Sequence, residues 1–190
     1  DMMKMNAIDL RPGHIIEYND KLWTVLDTES VHPGKGQSVT QVVMRDIDSG
    51  TKKDVRFRTQ ETVDRVRLYE DDFQYLYAEG PHHIFMNTDS YEQLRVPAEI
   101  IGEDRLPFLS ESMMVRIETH EGRPMRIHLP DTVEAQITDT EPVIKGQTAT
   151  SSYKPATLDN GLRTSVPPHV DRGDTIVVKT DDGSYVEKVS

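Results

Sequence analysis

One lysine, Lys35, stands between Gly34 and Gly36 in the run Val31-His32-Pro33-Gly34-Lys35-Gly36-Gln37. Glycine on both sides removes bulk and permits backbone angles closed to other residues, so the ammonium can project away from the chain. A four-carbon stem ending in a hydrated point charge suits reaching into a narrow polar site, and it also suits covalent extension. On spacing alone the run reads first as an ordinary surface turn, because Pro and Gly are the common turn residues. Two enzyme patterns come near and fail. A phosphate-binding P-loop needs Gly-Lys followed by Ser or Thr at a helix start, whereas Lys35 is followed by Gly36 and a predicted strand. Ser151-Ser152-Tyr153-Lys154 matches the Ser-x-x-Lys pattern of penicillin-binding enzymes. There the pattern opens a helix, but here Pro155 biases Lys154 toward extended backbone.

Metal and acid–base chemistry find little support. The histidines at 14, 32, 82, 83, 120, 128 and 169 include no pair four apart, the helical spacing of a zinc protease. Neighbours on a strand point to opposite faces, so His82-His83 is a poor chelate. Cysteine is absent, which excludes thiolate zinc sites and cysteine nucleophiles and suits a reducing cytoplasm. The carboxylates cluster in turns such as Asp71-Asp72 and Asp181-Asp182. We expect no catalytic residue, metal or cofactor. Aromatic and basic side chains do fall together at Tyr153-Lys154 and at Tyr185 with Lys188. Such pairs read either as stacking platforms for single-stranded nucleic acid or as barrel staves with wet hydroxyls.

The elements that position these groups are almost all strands. Leu22–Leu26, Ser38–Met44 and Val55–Arg58 surround the Lys35 turn, and four or five short strands within residues 1–67 predict an SH3-like (KOW-type) barrel. Residues 68–129 open with Phe73–Tyr77 and His83–Met86, pass a short helical turn at Pro97–Ile101, and close on a hairpin turning at Glu121–Pro124. Residues 130–190 run through Val133–Thr138, a hairpin at Asp159-Asn160-Gly161 predicted as type I′, and the pair Thr175–Lys179 and Ser184–Val189. Both later segments have the strand content of OB-type barrels. Asp1-Met2-Met3-Lys4-Met5 lacks the apolar run of a signal peptide, and its first residues read as a remnant of expression cloning.

Composition agrees with several small barrels. Hydrophobic residues make up 35% of the 190, too few for one large core. No run approaches the ~18–20 apolar residues that span a bilayer, so no membrane partner is expected. The net charge of −11 is uneven: residues 1–67 carry 11 basic and 11 acidic side chains, residues 68–129 carry 5 and 12, and residues 130–190 carry 6 and 10. A neutral first third can touch RNA locally while the acidic middle discourages non-specific RNA binding.

Four segments together resemble bacterial elongation factor P: Leu10-Arg11-Pro12-Gly13, Pro33-Gly34-Lys35-Gly36, Glu141–Thr148 with the sequence EPVIKGQT, and Ser151-Ser152-Tyr153-Lys154-Pro155-Ala156. The ending Gly183–Lys188 also fits, and the likeness runs the whole chain in order. The resemblance implies three β-barrels in an elongated L of tRNA-like size, entering the ribosome between the P and E sites. It implies that Lys35 points toward the peptidyl transferase centre beside the CCA end of the P-site peptidyl-tRNA, relieving stalls at consecutive prolines. The Lys35 position is lengthened in many members by a lysine-modifying enzyme. The third barrel is implied to approach the small subunit and the E-site codon through Gly146, Gln147 and Thr148, with Tyr185 and Lys188 near the C-terminus. Many members carry Asp at the position of Gln147 and Arg at that of Lys188. A monomer is the default expectation. The competing readings are a general RNA-binding barrel protein that needs no ribosome and a hydrolase built on Ser151 and Lys154.

Overall fold

Strand formation follows from short apolar–polar alternations closed by turn residues, and in the computed structural model these give sixteen strands and one short helix among the described residues, 2–142 and 152–190. The first sheet holds β1 (Met2–Asn6), β2 (Ile15–Tyr18), β3 (Lys21–Val31), β4 (Val39–Asp46), β5 (Lys52–Arg58) and β6 (Thr62–Val66), in the order β1-β6-β2-β3-β4-β5. Met2 to Asn6 form a strand that pairs with Val66 to Thr62. Leu10, Ile16, Trp23, Val25, Val42, Met44 and Phe57 fill the core. The Trp23 indole N–H donates to the Tyr18 carbonyl at 2.9 Å, and the Tyr18 ring meets Phe57 edge-on at 5.7 Å.

Asp46 closes the β4–β5 turn. Its carboxylate accepts the backbone N–H of Asp48 at 2.8 Å and of Ser49 at 3.3 Å, although the residue is only 3% exposed. The Asp48 N–H holds its carboxyl below the usual range, against burial, with help from Ser49 and Lys21. Asp174 and Asp182 are lowered too, chiefly by the Asp171 backbone N–H and by Ser184. A carboxyl lowered on folding stabilises the protein above its unfolded pKa, about 3.9. That stabilisation is lost as pH falls from there through the folded pKa. The thermal midpoint is therefore expected to hold above about pH 5 and to drop as pH falls through and below about 4, with a shallower drop in Asp46→Asn. Calorimetry across that range measures both.

The chain divides into two compact units, one ending at Tyr69 and one spanning Glu70–Ser190. The second unit contains two five-stranded sheets. One comprises β7 (Tyr69–Glu79), β8 (His82–Asn87), β9 (Gln93–Pro97), β10 (Met114–His120) and β11 (Arg123–His128), ordered β11-β10-β7-β8-β9. Its edges β9 and β11 approach each other, and α1 (Ala98–Ile101) packs against both. Pro97 sits at the N-cap of α1, and Gly102 at φ 93° ends it, a conformation that favours glycine. The other sheet comprises β12 (Thr132–Thr140), β13 (Lys154–Leu158), β14 (Arg163–Val166), β15 (Thr175–Lys179) and β16 (Tyr185–Lys188), ordered β14-β13-β12-β15-β16. Its edges β14 and β16 also meet. Curling each sheet edge toward edge removes the exposed ladder that invites aggregation.

One continuous cluster of buried side chains, from Phe73 and Phe85 through Ile117 and Ile127 to Ile137, Leu158 and Val178, serves both sheets of this unit. The β13–β14 turn departs from the predicted type I′ form, which needs positive φ at both central residues. Asn160 is not among the positive-φ residues, Gly161 is at φ 86°, and the Gly161 N–H donates to the Leu158 carbonyl at 2.9 Å. This is a type I turn with glycine in the left-handed region directly after it.

Candidate functional site

Lys35 sits where β3 and β4 outrun their core. Past the core residue Val42, their pairing continues through Glu29↔Gln41, Ser30↔Thr40 and Val31↔Val39. Residues 32–37, which include Pro33, Gly34, Lys35 and Gly36, are all exposed. His32 Nδ1 and Ser38 Oγ, 2.8 Å apart, close the base of this loop. Gly36 is at φ 100°, which a side chain would strain. A Cβ on Gly34 or Gly36 would meet nothing within 4 Å, so close packing requires neither glycine, and only Gly36 is set by its backbone angle. Among the described residues no acceptor or carboxylate engages the Lys35 ammonium.

A groove lined by Gln37, Ser38, Arg58, Thr59, Gln60 and Glu61 runs beside the loop's root. The Thr59 N–H donates to the Ser38 carbonyl at 3.1 Å, while the buried hydroxyls of Thr40 and Thr59 have no partner among the described residues. Sequence reading missed this groove because residues about twenty apart meet only through the Val39↔Arg58 register.

The C-terminal candidates divide into groups of different character. Gly146, Gln147 and Thr148 lie outside the described residues, as does Ser151. Tyr153, 57% exposed, meets the half-buried Tyr185 edge-to-face at 6.3 Å and 82°. The sheet order places β12 and β15 between β13 and β16, so this ring contact spans the curl of the sheet. Tyr185 also packs on the core. Lys188 reaches Asp174 at 3.3 Å. Lys154 is 9% exposed, and its ammonium donates to the Glu141 carbonyl at 2.6 Å. The structure thus brings Tyr153 and Tyr185 together, gives Lys188 a carboxylate partner and turns Lys154 inward.

No group of three or more His, Asp or Glu among the described residues could hold a metal. No helix there is long and apolar enough to cross a membrane.

The described architecture is a six-stranded sheet with an extended hairpin followed by two curled five-stranded sheets, and family comparison bears on every part of it. Residues 6–63 match the elongation factor P KOW-like domain, residues 68–127 its OB domain and residues 133–188 its C-terminal domain. The chain belongs to the elongation factor P family, whose members are translation elongation factors. It is 48% identical to elongation factor P of Rhodospirillum centenum and 50% identical to that of Methylorubrum extorquens, each over 98% of both chains. Elongation factor P of Brucella ovis is 46% identical over 98% of this chain and 100% of its own. Among solved structures, a eukaryotic translation initiation factor 5A from Methanococcus jannaschii superposes with a TM-score of 0.54 at 23% identity. That likeness covers 66% of this chain and 96% of the other, and it bears on fold alone. Family membership implies interaction with the ribosome.

Proposed function

We propose that this chain binds the ribosome between the P and E sites and speeds peptide-bond formation at consecutive prolines by positioning the CCA end of the peptidyl-tRNA with Lys35. The observation that carries this reading is an exposed lysine between two glycines, unpaired among the described residues, on a hairpin extended past its core. An ammonium that serves no local ion pair is free for a partner outside the chain. On this reading residues 1–67 present the tip and residues 130–190 meet the small subunit.

The mechanism is positional. Proline fixes its own φ and stiffens the nascent chain, so the reacting groups spend little time in attack geometry. Fixing one reactant recovers orientation entropy, a contribution that reaches ~7–11 kcal/mol at its extreme. Lys35 contributes charge and hydrogen bonds to the tRNA end, and the bond-forming chemistry belongs to the ribosome. The exposed Lys35 amine also suits a lysine-modifying enzyme that would lengthen it. In the C-terminal segment, Tyr153 with Tyr185 and Lys188 offer an RNA-binding surface on this reading, and Gly146, Gln147 and Thr148, outside the described residues, are assigned to the E-site codon from the family resemblance alone.

Synthesis of a peptide with three consecutive prolines, in a purified system without any elongation factor P, tests the reading. Added protein from the native host is expected to restore full-length product and to leave a proline-free control unchanged. No restoration, with a control factor active in parallel, would remove the reading. Binding of free RNA as tight as binding of ribosomes would favour a general RNA-binding protein instead.

A further inference from the structure

Lys154 adjoins Tyr153 in sequence, but the two side chains leave the chain on opposite sides. Along β13 the residues alternate, with Lys154, Ala156 and Leu158 buried and Pro155 exposed. Lys154 therefore occupies an inward position at the rim of the sheet, opposite Val166, which is fully buried. Lysine is almost never buried without a partner, because taking an ammonium out of water is costly. Here the ammonium donates to the Glu141 carbonyl at 2.6 Å and faces the Asp171 carboxylate at 3.7 Å. It joins the end of β12, the start of β13 and the segment before β15. A second bond crosses the same stem, from the Thr140 hydroxyl to the Pro155 carbonyl at 2.7 Å. Tyr153 is the residue directly before this clamp, and its exposed ring rests on Tyr185.

We propose that Lys154 is a positioning residue: it locks the β12–β13 stem so that Tyr153 is held against Tyr185 for RNA, and it does not itself contact phosphate. The inference rests on the ribosome-binding reading of that face. Its charge is engaged inside the protein, so its removal should not change the number of phosphates neutralised on binding.

The test measures ribosome affinity of the full chain over a series of salt concentrations, together with tyrosine-ring NMR resonances. Lys154→Met is expected to weaken binding about tenfold, the scale of losing one base–aromatic stack. The slope of log affinity against log salt should stay unchanged, and the Tyr153 and Tyr185 resonances should shift. A slope reduced by about 0.7–0.9 with unmoved resonances is the signature of a lost phosphate contact and overturns the proposal. Shifted resonances with unchanged affinity overturn it as well, since the clamp would then be merely structural. Should Lys154→Met fail to fold, Thr140→Val cuts only the companion bond. Shifted resonances, weaker binding and an unchanged slope in that variant support the proposal, and wild-type values for all three overturn it. If the unsubstituted protein binds no ribosomes, the functional reading fails and this inference with it. The ring resonances of the variants would still reveal whether the clamp exists.

Discussion

Lys35→Ala is expected to lower the rate of proline–proline bond formation by roughly 10- to 100-fold while leaving folding and most ribosome affinity intact. The magnitude follows from geometry, since misplacing a reactant by about 1 Å can cost 10²-fold in rate. The selectivity follows from structure. Lys35 is exposed and outside the core of Ile16, Trp23 and Phe57, and no ion pair among the described residues is lost with it. Surface substitutions of this kind usually change stability within about 0.5 kcal/mol. Single-turnover synthesis on ribosomes stalled before a proline codon measures the rate, and sedimentation measures binding. Lys35→Arg separates two contributions, because it keeps a positive charge but is no substrate for a lysine-modifying enzyme. Full activity of Lys35→Arg would assign the effect to charge, and full activity of Lys35→Ala would remove the tip from the mechanism.

How much of this could be read from sequence depended on whether the deciding contacts were local. The Pro33–Gly36 turn was legible because Pro and Gly act on their own backbone, as was the short helix after Pro97. The barrel classes were legible from strand spacing, and the family from long motifs. Met2–Asn6 was not, because its strand character comes from pairing with Val66 to Thr62 at the other end of the module. The groove beside the tip escaped for the same reason. Lys154 was misleading in an instructive way. Its charge suggested surface, yet its parity with Ala156 and Leu158 already placed it inward, and the rim carbonyl of Glu141 that makes this tolerable lies thirteen residues away. Asn160-Gly161 carried the right hairpin signal but the wrong turn type, because the left-handed residue is Gly161 alone.

Phe85→Ala is expected to destabilise the Glu70–Ser190 unit by about 3–5 kcal/mol, the usual cost of truncating a buried phenylalanine to alanine. Phe85 is fully buried and packs at 5.2 Å from the Tyr75 ring, in a cluster that continues through both sheets of the unit. A loss of that size is a large part of a typical domain stability of about 5–15 kcal/mol. Because the cluster is shared, both sheets should loosen together rather than one alone. The sole tryptophan, Trp23, lies in the other core, so its fluorescence reports only the first unit. Urea titration should show the circular-dichroism transition of the second unit at lower denaturant and the Trp23 transition unmoved. Displacement of both transitions together would mean that the two cores unfold as one cooperative body.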